Sequence, residues 1–342
     1  MPKNGEIGAA ITGLGYCLPE NSISSREISL RVTAESGDFQ IPAGLIERLS
    51  GVAQRYHAAQ ECCSSDLAAC AGIRALRNAH VEPAQVDIMI FAAASQDIAE
   101  PATANIVQEK IGCSNAHVFD VKNACNSFLN ALDIAHAFIA TERARRVLIT
   151  TGEILSPIIN WRVKDLKDLY LKLAGFTLGD GGGACVIEAA NSSGGLLPGR
   201  FFSEGCQWRL STVLSGGTFM RDDMSRLYFE SDSAALQSVA LRYIPGLLLS
   251  VVDELGWNLQ RDVKLVVPHQ VSLRLLQALC KVTKFPLNRC MVTLNRFGNT
   301  AAASIPIALS IAVEEGRIGR GDKLLLVGGA AGFSAAVIPI VW

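Results

Sequence analysis

Three side chains suited to acyl transfer each stand where a strand-like run gives way to a turn. Cys125 follows Ala116–Val121, which reads as a buried strand, and precedes a helix predicted over Asn126–Ala140. A thiol at a helix N-terminus meets the positive end of the macrodipole and unpaired N–H groups, so thiolate is expected to be favoured there. His269 closes the apolar run Leu265-Val-Val-Pro-His269, and Asn299 closes Met291–Asn299 ahead of a helix predicted over Thr300–Val313. A cysteine is a nucleophile once deprotonated, and a neutral histidine can move a proton. An asparagine N–H can stabilise enolate charge without titrating. Taken singly, the cysteine would pack, the histidine would make a structural hydrogen bond, and the asparagine would cap a helix. Their joint placement points to one acyl-transfer site.

The elements that must position them alternate along the chain. Strands are predicted at Ile7–Leu14, Val86–Ala94, Arg146–Thr151, Ala184–Glu188, Lys264–Val267, Cys290–Leu294 and Leu324–Gly328, and a helix at Ser65–Ala79. Continuous apolar strands separated by helices indicate sheets covered on both faces. The pattern also repeats. Val86–Phe91, Phe119–Cys125 and Arg145–Gly152 are echoed by Val263–Val267, Met291–Asn299 and Asp322–Gly329. This predicts two halves, 1–176 carrying the cysteine and 177–342 carrying the histidine and asparagine, with two helix N-termini meeting near a pseudo-twofold axis. The turn region 191–199 is the alternative boundary.

Composition narrows the class. The chain has 342 residues, 49% hydrophobic and 18% charged, with 30 glycines, which suits an α/β enzyme. A net charge of −1 argues against wholesale nucleic-acid binding. Ten cysteines without CxxC pairing, and no signal-peptide pattern, suggest a reduced cytoplasmic protein. The strictly apolar runs are shorter than a membrane span, so no stable membrane insertion is expected.

Several motifs resemble those of the thiolase superfamily, in its 3-ketoacyl-ACP synthase III branch. They are Asp120-Val-Lys-Asn-Ala-Cys125, Leu178-Gly-Asp-Gly-Gly-Gly-Ala184, His269-Gln270 with Arg274, Gly298-Asn-Thr-Ala-Ala-Ala-Ser304 and Gly328-Gly-Ala-Ala-Gly-Phe333. The similarity runs from Thr12–Pro19 to Val341-Trp342. It implies a five-layered αβαβα fold and a homodimer. It further implies that Cys125 carries the acyl group, while His269 and Asn299 hold the second thioester's carbonyl. The backbone N–H of Cys125 and one from Ala331-Gly332 would form the oxyanion hole, and Arg274 would meet carrier protein or CoA phosphate. The substrates would be acyl-CoA or acyl carrier protein, with no metal or redox cofactor.

Glu100, in Ile98-Ala-Glu-Pro-Ala-Thr-Ala104, discriminates between reactions. It matches the glutamate of relatives that condense two acyl-CoAs head to head, where it reaches the partner subunit's site. Without decarboxylation an α-proton must be removed, which requires a base. The expectation is therefore non-decarboxylative Claisen condensation to a β-ketoacyl product. The alternatives are decarboxylative synthesis from malonyl-ACP, acyl transfer to oxygen or nitrogen, and a non-catalytic partner subunit. Trp161–Lys172 reads as an amphipathic basic helix, either solvated or lining the entrance. At Gly44–Ser50 the tryptophan of housekeeping relatives is missing, so adenine stacking there is not expected.

Overall fold

The computed structural model describes residues 8–190, 194–221 and 223–342. The first residue of the expected strand at 7–14, and residues 191–193 of the alternative boundary, lie outside them. In chain order the elements begin β1 (Gly8–Cys17), β2 (Asn21–Ser24), α1 (Ser25–Glu35), α2 (Leu45–Ser50), β3 (Gln54–His57), α3 (Ser64–Ala79) and β4 (Ile88–Ala92). Next come α4 (Thr103–Ile111), β5 (His117–Val121), α5 (Ser127–Ala140), β6 (Arg146–Glu153), α6 (Leu166–Lys172), β7 (Gly181–Ala190), β8 (Gly195–Leu196) and β9 (Arg200–Ser203). After β10 (Ser211–Thr212) and β11 (Glu230–Ser231) the chain continues with α7 (Ser233–Glu254), β12 (Val263–Pro268) and α8 (Leu273–Thr283). It ends with α9 (Leu294–Phe297), α10 (Ser304–Glu314), β13 (Lys323–Ala330) and β14 (Ser334–Val341).

The main sheet runs β12-β13-β14-β8-β1-β7-β6-β4-β5, with β9 on β14. The alternation of side chains along its strands sorts them into two cores per half. Ile88, Ile90, Val147 and Ile149 face a central cluster with α5, whereas Met89, Phe91 and Leu148 face α3 and α4. In the second half Leu265, Val267, Leu324 and Leu326 join that same central cluster with α10, while Val266, Leu325 and Val327 face α7 and α8. The result is α3/α4, sheet, α5/α10, sheet, α7/α8: the five layers expected. Period-two strands buried on both faces generate it.

Repetition extends to the pairing. β4 lies parallel to β5 and β6, and β6 lies antiparallel to β7. Likewise β12 is parallel to β13 and to a bridge at Cys290, and β13 is antiparallel to β14. By pairing, β7 goes with β1 and β6 of the first repeat.

Two expectations need correction. Cys290–Leu294 is no strand beyond the single Val266–Cys290 bridge, and α9 starts at Leu294. The backbone N–H groups of Thr293 and Leu294 donate to Gln270 Oε1 at 2.9 and 3.1 Å, so a side chain takes the donors a ladder would need. The run Ala116–Val121 is not a buried strand either: β5 is the end strand of the sheet, with His117 and Asp120 exposed.

α3 packs close to β6 and β7 because they offer glycine at the contact. A Cβ on Gly152 would strike the Ser64 carbonyl, and one on Gly182 the Leu67 carbonyl. Among the described residues one helix, the 22-residue α7, is long and apolar enough to cross a membrane by composition. Here Ala240, Ile244, Leu248, Val251 and Val252 on one of its faces are buried against the second half of the sheet.

Candidate active site

Cys125 sits in a sharp turn between β5 and α5. Ala124 adopts φ 45°, in the left-handed region that costs a non-glycine residue energy, which swings the chain so that Cys125 faces inward. The turn is tied down locally: Asn123 N–H donates to Ser127 Oγ at 2.8 Å, and that hydroxyl donates to the Ala124 carbonyl at 2.7 Å. Asn126 Nδ2 donates to Ser334 Oγ at 2.9 Å, linking the cysteine turn to the strand that follows Ala331-Gly332. The close approach requires Gly328, where a Cβ would collide with Asn126 Oδ1.

His269 directly follows β12 and is buried. Its backbone N–H donates to the Val327 carbonyl at 2.8 Å, and its Nδ1 lies 2.7 Å from Ser304 Oγ at the start of α10. That leaves Nε2 as the nitrogen available for chemistry. Asn299 is held by its backbone, with its N–H on the Thr177 carbonyl at 2.8 Å and its carbonyl accepting Gly179 N–H at 3.0 Å. Its Oδ1 accepts Ala301 N–H at 3.0 Å, which fixes the amide so that Nδ2 is the remaining donor.

Cys125, His269 and Asn299 line one cavity of about 1130 Å³, together with Arg274, Gly328 and Ala331. Its walls are largely apolar and include Leu155, Ile158, Leu173, Leu236, Ile244 and Leu279. A second hollow of about 470 Å³, lined by Gly332, Trp208 and Phe219, adjoins it at Ala331. Gly332 has φ 115°, a conformation open only to glycine, so the turn after β13 depends on it. Arg274 is exposed at the second position of α8, with Nη2 3.3 Å from the Arg48 carbonyl. Glu100 is exposed on the loop between β4 and α4 and is not among the cavity residues. The expected helix at Trp161–Lys172 is helical only as α6. Tyr170 of that helix, with Leu173 and Ala174 just beyond it, lines the cavity, and Lys172 is buried against Asp168 at 2.7 Å.

The electrostatics correct one expectation. Far from being drawn towards thiolate, the Cys125 thiol is pushed up to about 12, first by burial and then by the negative charge of Glu153. The cysteine lies one residue short of the N-cap of α5, and its own backbone N–H only partly offsets these effects. Burial holds His269 down at about 4, so the imidazole is neutral over the ordinary pH range.

Sequence reasoning missed two polar residues here. Glu153 ends β6 fully buried, two residues beyond the strand as read, and a carboxylate closing an apolar run was the signal available. Ser304 lay within a recognised motif, but nothing in the sequence says that its hydroxyl meets His269.

Thiol, imidazole and carboxamide around an apolar cavity on a duplicated αβαβα frame define a thiolase-fold acyltransferase. Comparison with known proteins gives the family. Residues 119–205 match the model for 3-oxoacyl-[acyl-carrier-protein (ACP)] synthase III, and residues 253–342 match the model for its C-terminal part. The beta-ketoacyl-[acyl-carrier-protein] synthase III of Erythrobacter litoralis is 34% identical over 331 residues, 96% of this chain and 97% of that protein. The one from Roseiflexus castenholzii is 33% identical, with 98% of each chain covered. The chain belongs to the 3-oxoacyl-[acyl-carrier-protein] synthase III family. Among solved structures, the synthase III of Aquifex aeolicus superposes with a TM-score of 0.85 at 29% identity, over 98% of this chain and 100% of that one. Xanthomonas campestris OleA, solved with lauric acid and lauroyl-CoA bound, superposes with a TM-score of 0.88 at 24% identity, over 98% and 99%; at that identity the likeness concerns the fold.

Proposed function

We propose that the protein joins two acyl thioesters by non-decarboxylative Claisen condensation, releasing a β-ketoacyl product. Residues 1–176 supply the nucleophile, and residues 177–342 supply the histidine and asparagine. The observation that carries this reading is the single apolar cavity shared by Cys125, His269 and Asn299. Its volume exceeds the usual range for a small-molecule pocket, which suits an alkyl chain together with a pantetheine arm. Each methylene buried on such walls contributes about 0.8 kcal/mol to binding.

In the first half-reaction the Cys125 sulfur attacks the acyl carbonyl, and its proton passes to neutral His269 Nε2. The backbone N–H groups of Cys125 and of the Ala331-Gly332 turn receive the oxyanion, and the departing thiolate of CoA or carrier takes the proton. In the second, His269 Nε2 and Asn299 Nδ2 donate to the carbonyl oxygen of the second thioester as it becomes an enolate. The Ser304 hydroxyl both donates and accepts, so it supports either imidazole tautomer and thus both roles of His269. The enolate carbon then attacks the acyl-cysteine carbonyl, and Cys125 leaves. No metal or redox group enters this scheme, because CoA or phosphopantetheine arrives with the substrates. Arg274, at the cavity wall, meets their phosphate or the carrier protein.

Glu100 removes the α-proton, acting in the cavity of a partner subunit within a homodimer. Supporting this, β5 is the end strand of the sheet among the described residues, and Asp120 on it accepts the N–H groups of Thr103 and Ala104 at 2.9 and 2.8 Å. The Glu100 loop is thereby held beside the edge that a second copy would cover. The homodimer works in a reducing cytoplasm, where Cys125 stays free. Family membership favours a second reading, in which malonyl-ACP supplies the carbanion by losing CO₂ and Glu100 is not needed.

Incubation with a medium-chain acyl-CoA, with and without malonyl-ACP, separates these readings by product mass. A condensed product from acyl-CoA alone, lost in Glu100→Ala with Cys125 acylation intact, supports the proposal. Product formed only with malonyl-ACP, at full rate in Glu100→Ala, gives the decarboxylative synthase. An acyl ester or amide without a new carbon–carbon bond gives the transfer reading.

A further inference from the structure

Glu153 has no part in the scheme above, yet it is a fully enclosed carboxylate whose partners line the cavity. Its residue surface is fully buried, and four donors converge on it. Oε1 accepts the N–H groups of Ala94 at 2.8 Å and Ala302 at 3.2 Å. Oε2 accepts the N–H of Ser95 at 3.0 Å and its hydroxyl at 2.8 Å. Three of these donors are backbone amides that cannot reverse their role. Burial pushes the Glu153 carboxyl up, and these four donors, all of which a carboxylate can accept, oppose that by holding its charge.

The partners belong to the site. Ala94 and Ser95 line the cavity beside Cys125. Ala302 lies in the turn between Asn299 and α10, next to Ala301, whose N–H fixes the Asn299 amide. Glu153 thus clips a wall of the first repeat to the turn of the second that carries Asn299.

We propose that Glu153 is a positioning residue of this site: an ionised carboxylate that ties the Ala94–Ser95 wall to the turn after Asn299 and puts a fixed negative charge beside the Cys125 sulfur. It rests on the acyl-cysteine reading for its purpose. With the cavity empty the charge keeps Cys125 as thiol, which is slow to oxidise. A thiolate of high proton affinity, once formed in the presence of substrate, is the stronger nucleophile. Besides Cys125, the titratable groups lining the cavity are Asp97, Lys122, Tyr170, His269, Arg274 and the thiols Cys62 and Cys63, with Glu153 behind the Ala94–Ser95 wall. Glu153 is the charge that acts on the sulfur.

The test compares the full-length protein with Glu153→Gln and Glu153→Asp, following alkylation of Cys125 by iodoacetamide at pH 8 by peptide mass spectrometry. No acyl substrate is involved, so a failure of the condensation reading would not obscure the result. Glu153→Gln removes the charge and keeps the size. A fall of about one pKa unit raises the thiolate fraction about tenfold, and the weaker nucleophilicity leaves alkylation about three- to fourfold faster. Glu153→Asp keeps the charge and should alkylate as slowly as the parent. Equal rates for Gln and parent, or equal acceleration in both variants, would reduce Glu153 to packing and overturn the proposal. Should either variant fail to fold, amide exchange in the unaltered protein decides. The Ala94, Ser95 and Ala302 amides must then exchange as slowly as core strands, and exchange at loop rates refutes the clamp.

Discussion

Ala124 and Ala301 hold the same left-handed backbone, at φ 45° and φ 42°, and each precedes a helix that opens on a serine, Ser127 or Ser304. They are equivalent turns of the duplicated frame. The residue after the first is Cys125, and the residue after the second is Ala302, whose N–H goes to Glu153. One copy of the turn carries a sulfur and the other secures the wall opposite it. Likewise Ser127 braces its own turn, while Ser304 reaches His269.

The left-handed turn sets the first prediction. A β-branched side chain is poorly tolerated at positive φ, so Ala124→Val should lose on the order of 2 kcal/mol of stability. Ala124→Gly should stay within about 1 kcal/mol of the parent, since glycine removes the strain but loosens the unfolded chain. Urea midpoints at constant m-value measure both.

Ser304→Ala strips His269 Nδ1 of its partner inside the protein. Losing a buried hydrogen bond costs about 1–3 kcal/mol, which predicts at least a tenfold fall in turnover as the imidazole loses its orientation. Single-turnover assays should show both acyl loading and condensation slowed, with Cys125 still reactive towards iodoacetamide.

His269 makes stability depend on pH. Its folded pKa is about 4, below the unfolded value of 6.5. Between these values the unfolded chain takes up a proton that the folded chain refuses, so stability rises with pH across the window. The contribution is complete above about pH 6.5 and is lost as pH falls towards 4, on the order of 3 kcal/mol in all. In His269→Asn the dependence of the unfolding midpoint on pH between 4 and 6.5 should be shallower.

Arg274→Ala should raise the KM for a CoA or carrier thioester about fivefold at low ionic strength and leave kcat unchanged. An exposed charge contact is worth about 1 kcal/mol and is screened by salt, so the gap should narrow as salt rises. A KM that does not respond to salt would place the phosphate elsewhere.

Much of the fold was legible because it depends on local patterns. Wholly apolar runs such as Val147–Ile149 marked strands covered on both faces, and their recurrence announced two halves. The reading failed where non-local contacts won. Cys290–Leu294 looks like a strand, but Gln270 takes its donors. β5 looks buried, but nothing within the described residues pairs its outer edge.

The sequence by itself determined the chemical types available, a thiol, an imidazole and a carboxamide at strand ends, because motif spacing and hydrophobic period are local properties of the chain. Tertiary structure alone decided their electrostatic state. The proton affinity of Cys125 depends on burial and on a carboxylate 28 positions away in the chain, and that of His269 on how completely the halves exclude water. Solvation and Coulomb energy follow distance in space, which the order of residues does not state.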